Sequence, residues 1–577
     1  ALFVFFKQEQ SEKDIDKKMD EDEKTDLQDK TAGLDDAGKQ KAAAEYEAFK
    51  KSKEYQELKK LKREDELKKA KEKAIEAYLK ILTKPDDPYE PLEQKVDEDA
   101  IRKLFAQIAS VDNEEFKPEN LEVKGNKIFI NDEGALRELE IDGLQFEMKA
   151  FRFYPEGSIG ANMTGFVSYS GDDSRGQYGL EGFFNEELTG VSGSIKTERS
   201  AHGELIIMND REYTKPKNGS DLVLTIDRTI QFTACQKLNE AVKKHGADGG
   251  SVVIMDPDTG AILAMCSNPD YDPNHYRDVE DINIFNNQVV FSQYEPGSIF
   301  KGITMAMGID QEKIMPQTTF TDTGSVKIAD YEIKNSDLKA HGVIDMNGVL
   351  RESLNTGTIF VMRKIGADVF RDYVKNFGFG EKTGIELEGE STGDIKNLVK
   401  DKMNKELYAA TASFGQGIAV TPLQMINAFA AMANGGILMK PYLVKEVILG
   451  DGSRIVTQPK QIRRVISERG AMIMSGMLVN VVENGHGKRA GVKGYYVAGK
   501  TGTAQLPKKD GRGYEKNAHI GSFAGFAPAN NPKFAMLVRL DNPRDVEWAE
   551  SSAAPLFGEI SEFLLHYLQV PTERADK

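Results

Sequence analysis

The distribution of strand-like runs along the chain constrains its fold more than any other feature of the sequence. Residues 251–266 are typical of a β-hairpin, because two apolar runs flank the turn sequence Pro257-Asp258-Thr259-Gly260. Three further strand-like runs come only near the end, at residues 494–504, 519–527 and 534–540. About 220 residues of mainly helical pattern separate the two groups. These groups can share one sheet only if the helical region is an insertion.

The neighbouring segments agree with an α/β (α+β) fold. Leu222–Ile226 is a β-type run, residues 229–244 have the spacing of an amphipathic helix, and a final helix is expected at about residues 554–568. We therefore predict, for residues 216–577, an antiparallel sheet flanked by helices with an inserted helical subdomain. The preceding residues 96–215 mix short apolar runs with many glycines, which predicts a small domain of short strands and turns.

Residues 7–84 are too polar to form a core. They carry 21 acidic and 21 basic residues, so 42 of the 78 positions are charged and the net charge is zero. Such a segment cannot bury enough apolar surface to fold by itself. The helical apolar spacing from Leu67 to Ile81 lasts about two heptads, which is short for a coiled coil. We expect a charged helical spacer over residues 7–95, a single solvated helix, with a partner-binding helix as the alternative.

The beginning of the chain is apolar but short. No stretch of 18 apolar residues occurs, so nothing in the chain spans a bilayer by itself. Residues 1–6 are wholly apolar, and charged residues begin at Lys7. These six residues fit a frayed terminus or the end of a membrane anchor equally well.

Charge and rare residue types exclude several classes of function. The formal net charge of -16 argues against a nucleic-acid-binding surface, which needs a basic excess. Cys235 and Cys266 form no C-x-x-C pair, and no two of the seven histidines are spaced i, i+4. A structural zinc site and helical zinc-hydrolase chemistry are therefore excluded, and we expect no metal and no cofactor. Because nothing cationic flanks the two cysteines, we expect both to be buried small hydrophobic residues.

Two S-x-x-K sequences occur, beginning at Ser298 and at Ser336. The first opens an apolar helical run, so Ser298 and Lys301 should lie on one helix face, one turn apart. A serine hydroxyl becomes a strong nucleophile when a neighbouring base removes its proton, and an unprotonated lysine can be that base. The positive end of the helix also favours the developing alkoxide. Ser336 lies in a polar, turn-like stretch with no helix to align it, so we interpret the second copy as fortuitous.

Lys301 needs burial or a nearby cation to lose its proton near neutral pH. The K-T-G sequence at Lys500 lies in a strand-like run and can supply that cation, whereas the copy at Lys382 lies in a glycine-rich loop. Gly502 would let a substrate backbone approach the strand closely. S-x-N occurs once, as Ser353-Leu354-Asn355 at the edge of an expected helix. Its hydroxyl and carboxamide can pass a proton and hold a substrate amide.

Each motif is weak alone, but their order, S-x-x-K, then S-x-N, then K-T-G, is that of the penicillin-recognising acyl-transfer enzymes. The chain resembles the class B penicillin-binding proteins over about residues 150–571. The matching phrases are RFYPEG at 152–157, GLEGFF at 179–184, LVLTID at 222–227, PDYDPN at 269–274, FGQG at 414–417, VTPLQ at 420–424, SFAGFAP at 522–528 and, for division-type members, SSAAPLF at 551–557.

The resemblance implies a penicillin-binding transpeptidase fold, similar to the serine β-lactamases, and a peptidoglycan D,D-transpeptidase active in cell-wall synthesis at division. Ser298 would form an acyl-enzyme, releasing D-alanine, and an amine of a second stem peptide would complete the cross-link. β-Lactams would be trapped as the ester. The implied catalytic residues are Ser298, Lys301, Ser353, Asn355 and Lys500, the oxyanion hole is formed by the backbone N–H groups of Ser298 and Thr503, and the substrate-binding residues are Thr501, Gly502 and Thr503.

The resemblance also implies a location and partners. Residues 1–6 become the remnant of a single-pass membrane anchor, with the catalytic domain on the extracytoplasmic side, and residues 96–215 become a pedestal, dimerisation-like domain. Peptidoglycan stem peptides, β-lactams, a glycosyltransferase and other division or elongation proteins are the expected partners, with no nucleic acid. The chain departs from the family because the arginine- and glycine-rich segment that usually follows the anchor is absent. A D,D-carboxypeptidase, a β-lactamase-like hydrolase and an inactive scaffold stay open as alternatives.

Overall fold

The computed structural model describes residues 8–31, 38, 41, 42, 46, 48–82, 96, 98–109, 121–124, 127–132, 135–139, 151–170, 173–196, 212–400, 404–508 and 513–574. The chain divides into two compact units, Ala1–Phe151 and Arg152–Lys577. The expected anchor remnant at residues 1–6 lies outside the described residues. Among the described helices, none has a stretch long and apolar enough to cross a membrane.

The first unit contains helices and a small antiparallel sheet. Its elements are α1 (Gln8–Thr31), α2 (Lys53–Leu82), α3 (Glu98–Ala109), β1 (Leu121–Lys124), β2 (Lys127–Asp132) and β3 (Ala135–Leu139). The sheet has the order β1-β2-β3. Phe105 of α3 packs with Leu121 and Ile128 of the sheet, which gives this unit a small apolar core of its own.

Helices α1 and α2 contact each other, whereas the sequence predicts a single solvated helix. Arg63 of α2 binds Asp16 of α1 with 2.7 Å between Nε and Oδ1, and Lys59 binds Glu23 with 2.6 Å between Nζ and Oε1. Ile15 of α1 is buried. The described parts, Gln8–Thr31 and Lys53–Leu82, are helical, and opposite charges on these two helices face each other. Exposed ion pairs of this kind add little to stability.

The second unit contains the remaining strands and helices. Its strands are β4 (Phe166–Ser170), β5 (Asp173–Gln177), β6 (Ser194–Lys196), β7 (Glu212–Thr214), β8 (Asp221–Leu224), β9 (Gly249–Met255), β10 (Ile262–Asn268), β11 (Thr319–Asp322), β12 (Ser325–Ile328), β13 (Tyr331–Lys334), β14 (Gly342–Asp345), β15 (Ile437–Met439), β16 (Val444–Ile448), β17 (Arg454–Val456), β18 (Gln461–Arg464), β19 (Ala498–Pro507), β20 (Tyr514–Ala527) and β21 (Phe534–Asp541). Its α-helices are α4 (Ala161–Thr164), α5 (Gly179–Phe183), α6 (Asn185–Thr189), α7 (Arg228–His245), α8 (Gln288–Phe291), α9 (Phe300–Asp310), α10 (Met346–Arg351), α11 (Asn355–Ile365), α12 (Ala367–Asn376), α13 (Lys396–Lys400), α14 (Lys405–Ser413), α15 (Pro422–Ala433), α16 (Glu468–Asn484) and α17 (Ala553–Tyr567), and its 3₁₀ helices are Pro273–Asp278, Ile282–Phe285, Gly297–Ile299 and Lys488–Ala490.

Five strands form the central antiparallel sheet in the order β10-β9-β21-β20-β19. The last strand of the chain, β21, lies between β9 and β20, so the early hairpin and the late strands share one sheet. β19 lies at the edge and pairs with β20, with Lys500 opposite Ala524 and Thr503 opposite Gly521. The predicted α/β fold, an antiparallel sheet with an inserted helical region, is confirmed.

Helices cover both faces of the central sheet. Successive side chains of β9 alternate between two cores: Val252 packs with α7 and α17, whereas Val253 packs with the inserted helices, including α9, α11 and α15. Residues 300–309 of α9 are all buried. The helix that follows Ser298 is therefore a core element, which fixes its first turn relative to the sheet.

Cys235 on α7 and Cys266 on β10 form a disulfide. Both are buried, as expected, but the expectation of two separate small hydrophobic residues is wrong. The pairing depends on α7 packing across β10, which brings together two residues 31 positions apart in sequence. Their sequence neighbours carry no sign of that contact.

Candidate active site

Ser298 lies in the short 3₁₀ helix Gly297–Ile299, which continues directly into α9. Gly297 has φ +54°, and a Cβ at this position would lie 3.0 Å from the backbone oxygen of Thr503 on β19. Ser298 is half-buried, whereas its neighbours Gly297 and Ile299 are buried. The turn thus presents one serine at the start of a buried helix and holds it against the edge strand.

Lys301 is fully buried on α9, and its partner is the S-x-N motif. Its Nζ donates to the backbone oxygen of Ser353 and lies 3.2 Å from the Ser353 hydroxyl oxygen. Burial, together with the positive charge of Lys500, lowers the pKa of Lys301 well below its ordinary value, while Asp337 acts in the opposite direction. An amine that is neutral near pH 7 can accept the proton of a serine hydroxyl.

Lys500 is also fully buried, on β19. Its Nζ lies 3.2 Å from the backbone oxygen and 3.4 Å from the hydroxyl oxygen of Thr501. Burial lowers the pKa of Lys500 to about 7. Because the charge of Lys500 acts on Lys301, the fold brings the lysines of the first and third motifs close together.

The S-x-N motif forms the corner before α11. Ser353 has φ +58°, a left-handed backbone conformation that a serine adopts only when its surroundings enforce it. Leu354 precedes the helix and Asn355 begins it. The Asn355 side-chain amide donates to the backbone oxygen of Lys334 at 2.8 Å. The corner directs the Ser353 hydroxyl and carbonyl towards Lys301 and ties Asn355 to the end of β13.

A buried polar network holds this corner. Asp322 Oδ1 accepts the Thr356 hydroxyl at 2.8 Å, and Asp322 Oδ2 accepts the Asn335 amide at 2.9 Å. Asn335 Oδ1 in turn accepts the Thr356 N–H at 3.2 Å. All three residues are buried, so each polar atom needs these partners. These residues cannot be identified from the sequence, because a single polar residue in a turn gives no signal of a remote partner.

Gly502 faces the turn that carries Ser298. A Cβ at Gly502 would lie 2.9 Å from the backbone oxygen of Pro296 and 2.8 Å from the Ser522 hydroxyl. The absence of a side chain at Gly502 lets β19 approach the turn that carries Ser298. The expected approach of a substrate backbone to this glycine stays a prediction. The neighbouring Thr503 hydroxyl accepts the N–H of Ala549 at 3.2 Å. On its outer side β19 has no strand partner among the described residues.

The second copies of the motifs lie in different settings. Ser336 is exposed in a turn and opens no helix. In the other K-T-G sequence, the Thr383 N–H and hydroxyl both donate to Glu390 Oε1 at 2.6 Å within a loop. Neither copy has the helix or edge strand that holds Ser298 and Lys500.

Two family profiles match the chain. One, described as penicillin binding protein transpeptidase domain, matches residues 250–562, and one described as penicillin-binding protein dimerisation domain matches residues 6–224. The first alone covers more than half of the chain. The chain belongs to the penicillin-binding protein transpeptidase family.

Related proteins agree with this membership. Stage V sporulation protein D of Bacillus subtilis is 37% identical over 447 residues, which cover 77% of this chain and 68% of that protein. Peptidoglycan D,D-transpeptidase FtsI of Buchnera aphidicola is 30% identical over 439 residues, covering 75% of this chain and 73% of that protein. The crystal structure of penicillin binding protein 3 from Mycobacterium tuberculosis complexed with ampicillin has a TM-score of 0.65 and 29% identity, and the match covers 79% of this chain and 97% of that chain. The predicted class B family and the predicted transpeptidase enzyme class are confirmed.

Proposed function

We propose that this chain is a peptidoglycan D,D-transpeptidase that cross-links stem peptides through an acyl-enzyme on Ser298, in cell-wall synthesis at division. The observation that carries the proposal is the pair of fully buried lysines, Lys301 and Lys500, from two distant motifs. One of them is hydrogen-bonded to Ser353, and its pKa is lowered by burial and by the other. This arrangement would supply Ser298 with a lysine base, so that no histidine is needed.

In the first step, Ser298 Oγ attacks the carbonyl carbon between the two terminal D-alanines, and Lys301 accepts the hydroxyl proton. The tetrahedral intermediate then collapses, the C–N bond breaks, and the leaving D-alanine nitrogen takes up a proton. The Ser353 hydroxyl, 3.2 Å from Lys301 Nζ, supplies a route for that proton. The products are the Ser298 ester and free D-alanine. A general base of this kind contributes about 10²- to 10⁴-fold in rate.

The backbone N–H groups of Ser298 and Thr503 would bind the oxyanion, each contributing about 3 kcal/mol. The approach of Gly297 to Thr503 supports this assignment, because it brings the two backbone segments together. The donor stem peptide would add as a strand to the outer edge of β19, with Asn355 holding an amide of the peptide.

The hydroxyls of Thr501 and Thr503 would bind the terminal carboxylate. Since the Thr503 oxygen accepts the Ala549 N–H, its own hydrogen is directed elsewhere and is available to donate. An amine of a neighbouring stem peptide would then attack the ester to form the cross-link and release Ser298. β-Lactams acylate the same serine, and their ring-opened ester would block the site.

We propose an extracytoplasmic location, with residues 1–6 as the end of a single-pass membrane anchor. The disulfide between Cys235 and Cys266 supports this location, since disulfides persist in oxidising compartments. A glycosyltransferase and other division or elongation proteins are the proposed partners. Residues 7–95 would act as a charged helical spacer, residues 96–215 as a pedestal domain and residues 216–577 as the transpeptidase domain.

The test is labelling with a fluorescent penicillin, followed by mass spectrometry of the tryptic peptides. The adduct is expected on Ser298, and Ser298→Ala should abolish it, whereas Ser336→Ala, in the second S-x-x-K, should leave labelling unchanged. Release of D-alanine from a stem pentapeptide, with and without an amine acceptor, then separates cross-linking from hydrolysis. An adduct on Ser336, or labelling that survives Ser298→Ala, would overturn the proposal.

A further inference from the structure

Glu295 lies three residues before Ser298, and its carboxylate is partly buried between two hydrogen-bond donors. Its Oε1 accepts the N–H of Gly417 at 2.8 Å, and its Oε2 accepts the hydroxyl of Tyr514 at 2.9 Å. Burial raises the pKa of Glu295, and the two hydrogen bonds oppose that rise. Because both oxygens already accept hydrogen bonds, this carboxylate is placed to hold two neighbouring segments together rather than to accept the Ser298 proton.

The two donors belong to different segments near the turn that carries Ser298. Gly417 belongs to a loop that also contains Gly415, whose backbone oxygen accepts the Gly297 N–H at 3.0 Å. A Cβ at Gly415 would lie 2.2 Å from the Gly297 oxygen, so the loop and the turn are in direct backbone contact. Tyr514 is the first residue of β20 and pairs with Pro507 at the end of β19. One carboxylate therefore binds both the loop and the hairpin that carries the edge strand.

We propose that Glu295 is a positioning residue that fixes the edge strand β19 relative to Ser298, and so aligns the two backbone N–H groups assigned to the oxyanion hole. This inference rests on the acyl transfer proposed above. β19 has a strand neighbour on one side only among the described residues, and its contact with the turn is made at glycines, Gly297 and Gly502, which add no side-chain hydrogen bond. The hydrogen bond between Tyr514 and Glu295 adds a directional link between the β19–β20 hairpin and the segment that carries Ser298.

A positioning role predicts a specific kinetic change. If the two N–H groups move apart, the acylation step slows, because they stabilise charge that develops only in the transition state. Non-covalent binding of the β-lactam should change little, since it depends on the Thr501 and Thr503 hydroxyls.

The experiment measures penicillin acylation of the full chain over a range of penicillin concentrations, which separates the dissociation constant from the acylation rate constant. Glu295→Ala is expected to lower the rate constant by about 10- to 100-fold and to change the dissociation constant by less than about threefold. Tyr514→Phe should lower the rate constant by a smaller factor, and adding it to Glu295→Ala should cause little further loss. Glu295→Gln, which keeps the shape and can still bind both partners, should recover part of the rate.

Glu390 provides the matched control, because its carboxylate also accepts a backbone N–H and a hydroxyl, both from Thr383, but in the other K-T-G loop. Glu390→Ala should lower the melting temperature and leave the acylation rate constant unchanged. The inference is overturned if Glu295→Ala leaves the rate constant within twofold, or if it weakens binding rather than acylation. Failure of the proposed function would look different, since Ser298 would then carry no adduct in the unaltered chain.

Discussion

Lys500 lowers the pKa of Lys301, although one residue lies on the edge strand β19 and the other on the core helix α9. Both lysines are fully buried, so neither charge is screened by solvent. Burial is the larger cause of the lowered Lys301 pKa and the neighbouring charge is the second. We therefore expect the pair to divide two tasks: Lys301 would be the lysine that loses its proton, and Lys500 would provide a positive field.

This division predicts unequal effects of arginine at the two positions. Lys301→Arg keeps the charge but removes a group that can be neutral, because a guanidinium stays protonated, so penicillin acylation should fall by about 10²- to 10⁴-fold. Lys500→Arg keeps the field and should retain a measurable fraction of the rate, on the order of a tenth. The second-order acylation rate constants at pH 7 measure both effects. Equal losses, or a nearly normal rate for Lys301→Arg, would show that the roles are assigned wrongly.

The same pair predicts a bell-shaped pH profile for acylation. The rate should rise with pH as Lys301 loses its proton, because the neutral amine is the base. It should fall again as pH exceeds the pKa of Lys500, about 7, because the positive field is then lost. In Lys500→Arg the decline on the alkaline side should disappear. Acylation rates between pH 5 and pH 10 decide this, and an unchanged alkaline decline in the variant would contradict it.

Asn335→Ala should disturb the site from a distance. It removes the amide that donates to Asp322 Oδ2 and the oxygen that accepts the Thr356 N–H, which should lower the free energy of unfolding by about 1–3 kcal/mol. Because Thr356 belongs to the first turn of α11, Asn355 should shift, and penicillin acylation should slow. Denaturant unfolding and acylation kinetics test this, with Ser336→Ala at the exposed neighbouring position as the control. A stable variant with a normal acylation rate would show that the network does not support the S-x-N corner.

Removing the disulfide should affect stability more than acylation. The bond closes a loop of about 31 residues, and loop-closure entropy then predicts a loss of about 3–4 kcal/mol for Cys235→Ser. Neither cysteine contacts the residues assigned to the active site, so acylation at 25 °C should be retained. Thiol titration of the unfolded, unreduced chain should find no free thiol. Two free thiols would contradict the pairing.

Deleting residues 7–84 should leave penicillin acylation within about twofold. Helices α1 and α2 bind each other through ion pairs, and the residues assigned to catalysis all lie in the other compact unit. A solubilised chain with and without this segment, labelled with the same penicillin, provides the comparison. Loss of labelling in the shortened chain would refute the spacer assignment.

The elements that could be predicted from the sequence are those with a local signal. The hairpin of β9 and β10 follows from its turn residues, and the helix after Ser298 follows from its apolar run. The strand that carries Lys500 follows in the same way, and the order of the motifs then identifies the family. Each of these inferences uses residues that are close together in the chain.

The features that could not be predicted depend on contacts between remote residues. Cys235 contacts Cys266 only because α7 packs across β10. Glu295 contacts Tyr514 only because the β19–β20 hairpin packs against the segment that carries Ser298. The close approach of Gly502 to Pro296 is likewise a contact that no local pattern reveals. Periodicity identifies an element and its buried face, but not the distant polar group that the element will meet.

The position of β21 predicts when, during synthesis of the chain, the proposed active site can be completed. This strand is the last in the chain, yet it lies between β9 and β20, so the edge strand with Lys500 joins the early hairpin only after β21 is in place. A nascent chain carries Ser298 about 200 residues ahead of Lys500. Because domains fold as units, we expect Ser298 to gain the activating field of Lys500 only in a chain that extends through β21. Penicillin should therefore label no nascent chain that ends before this strand.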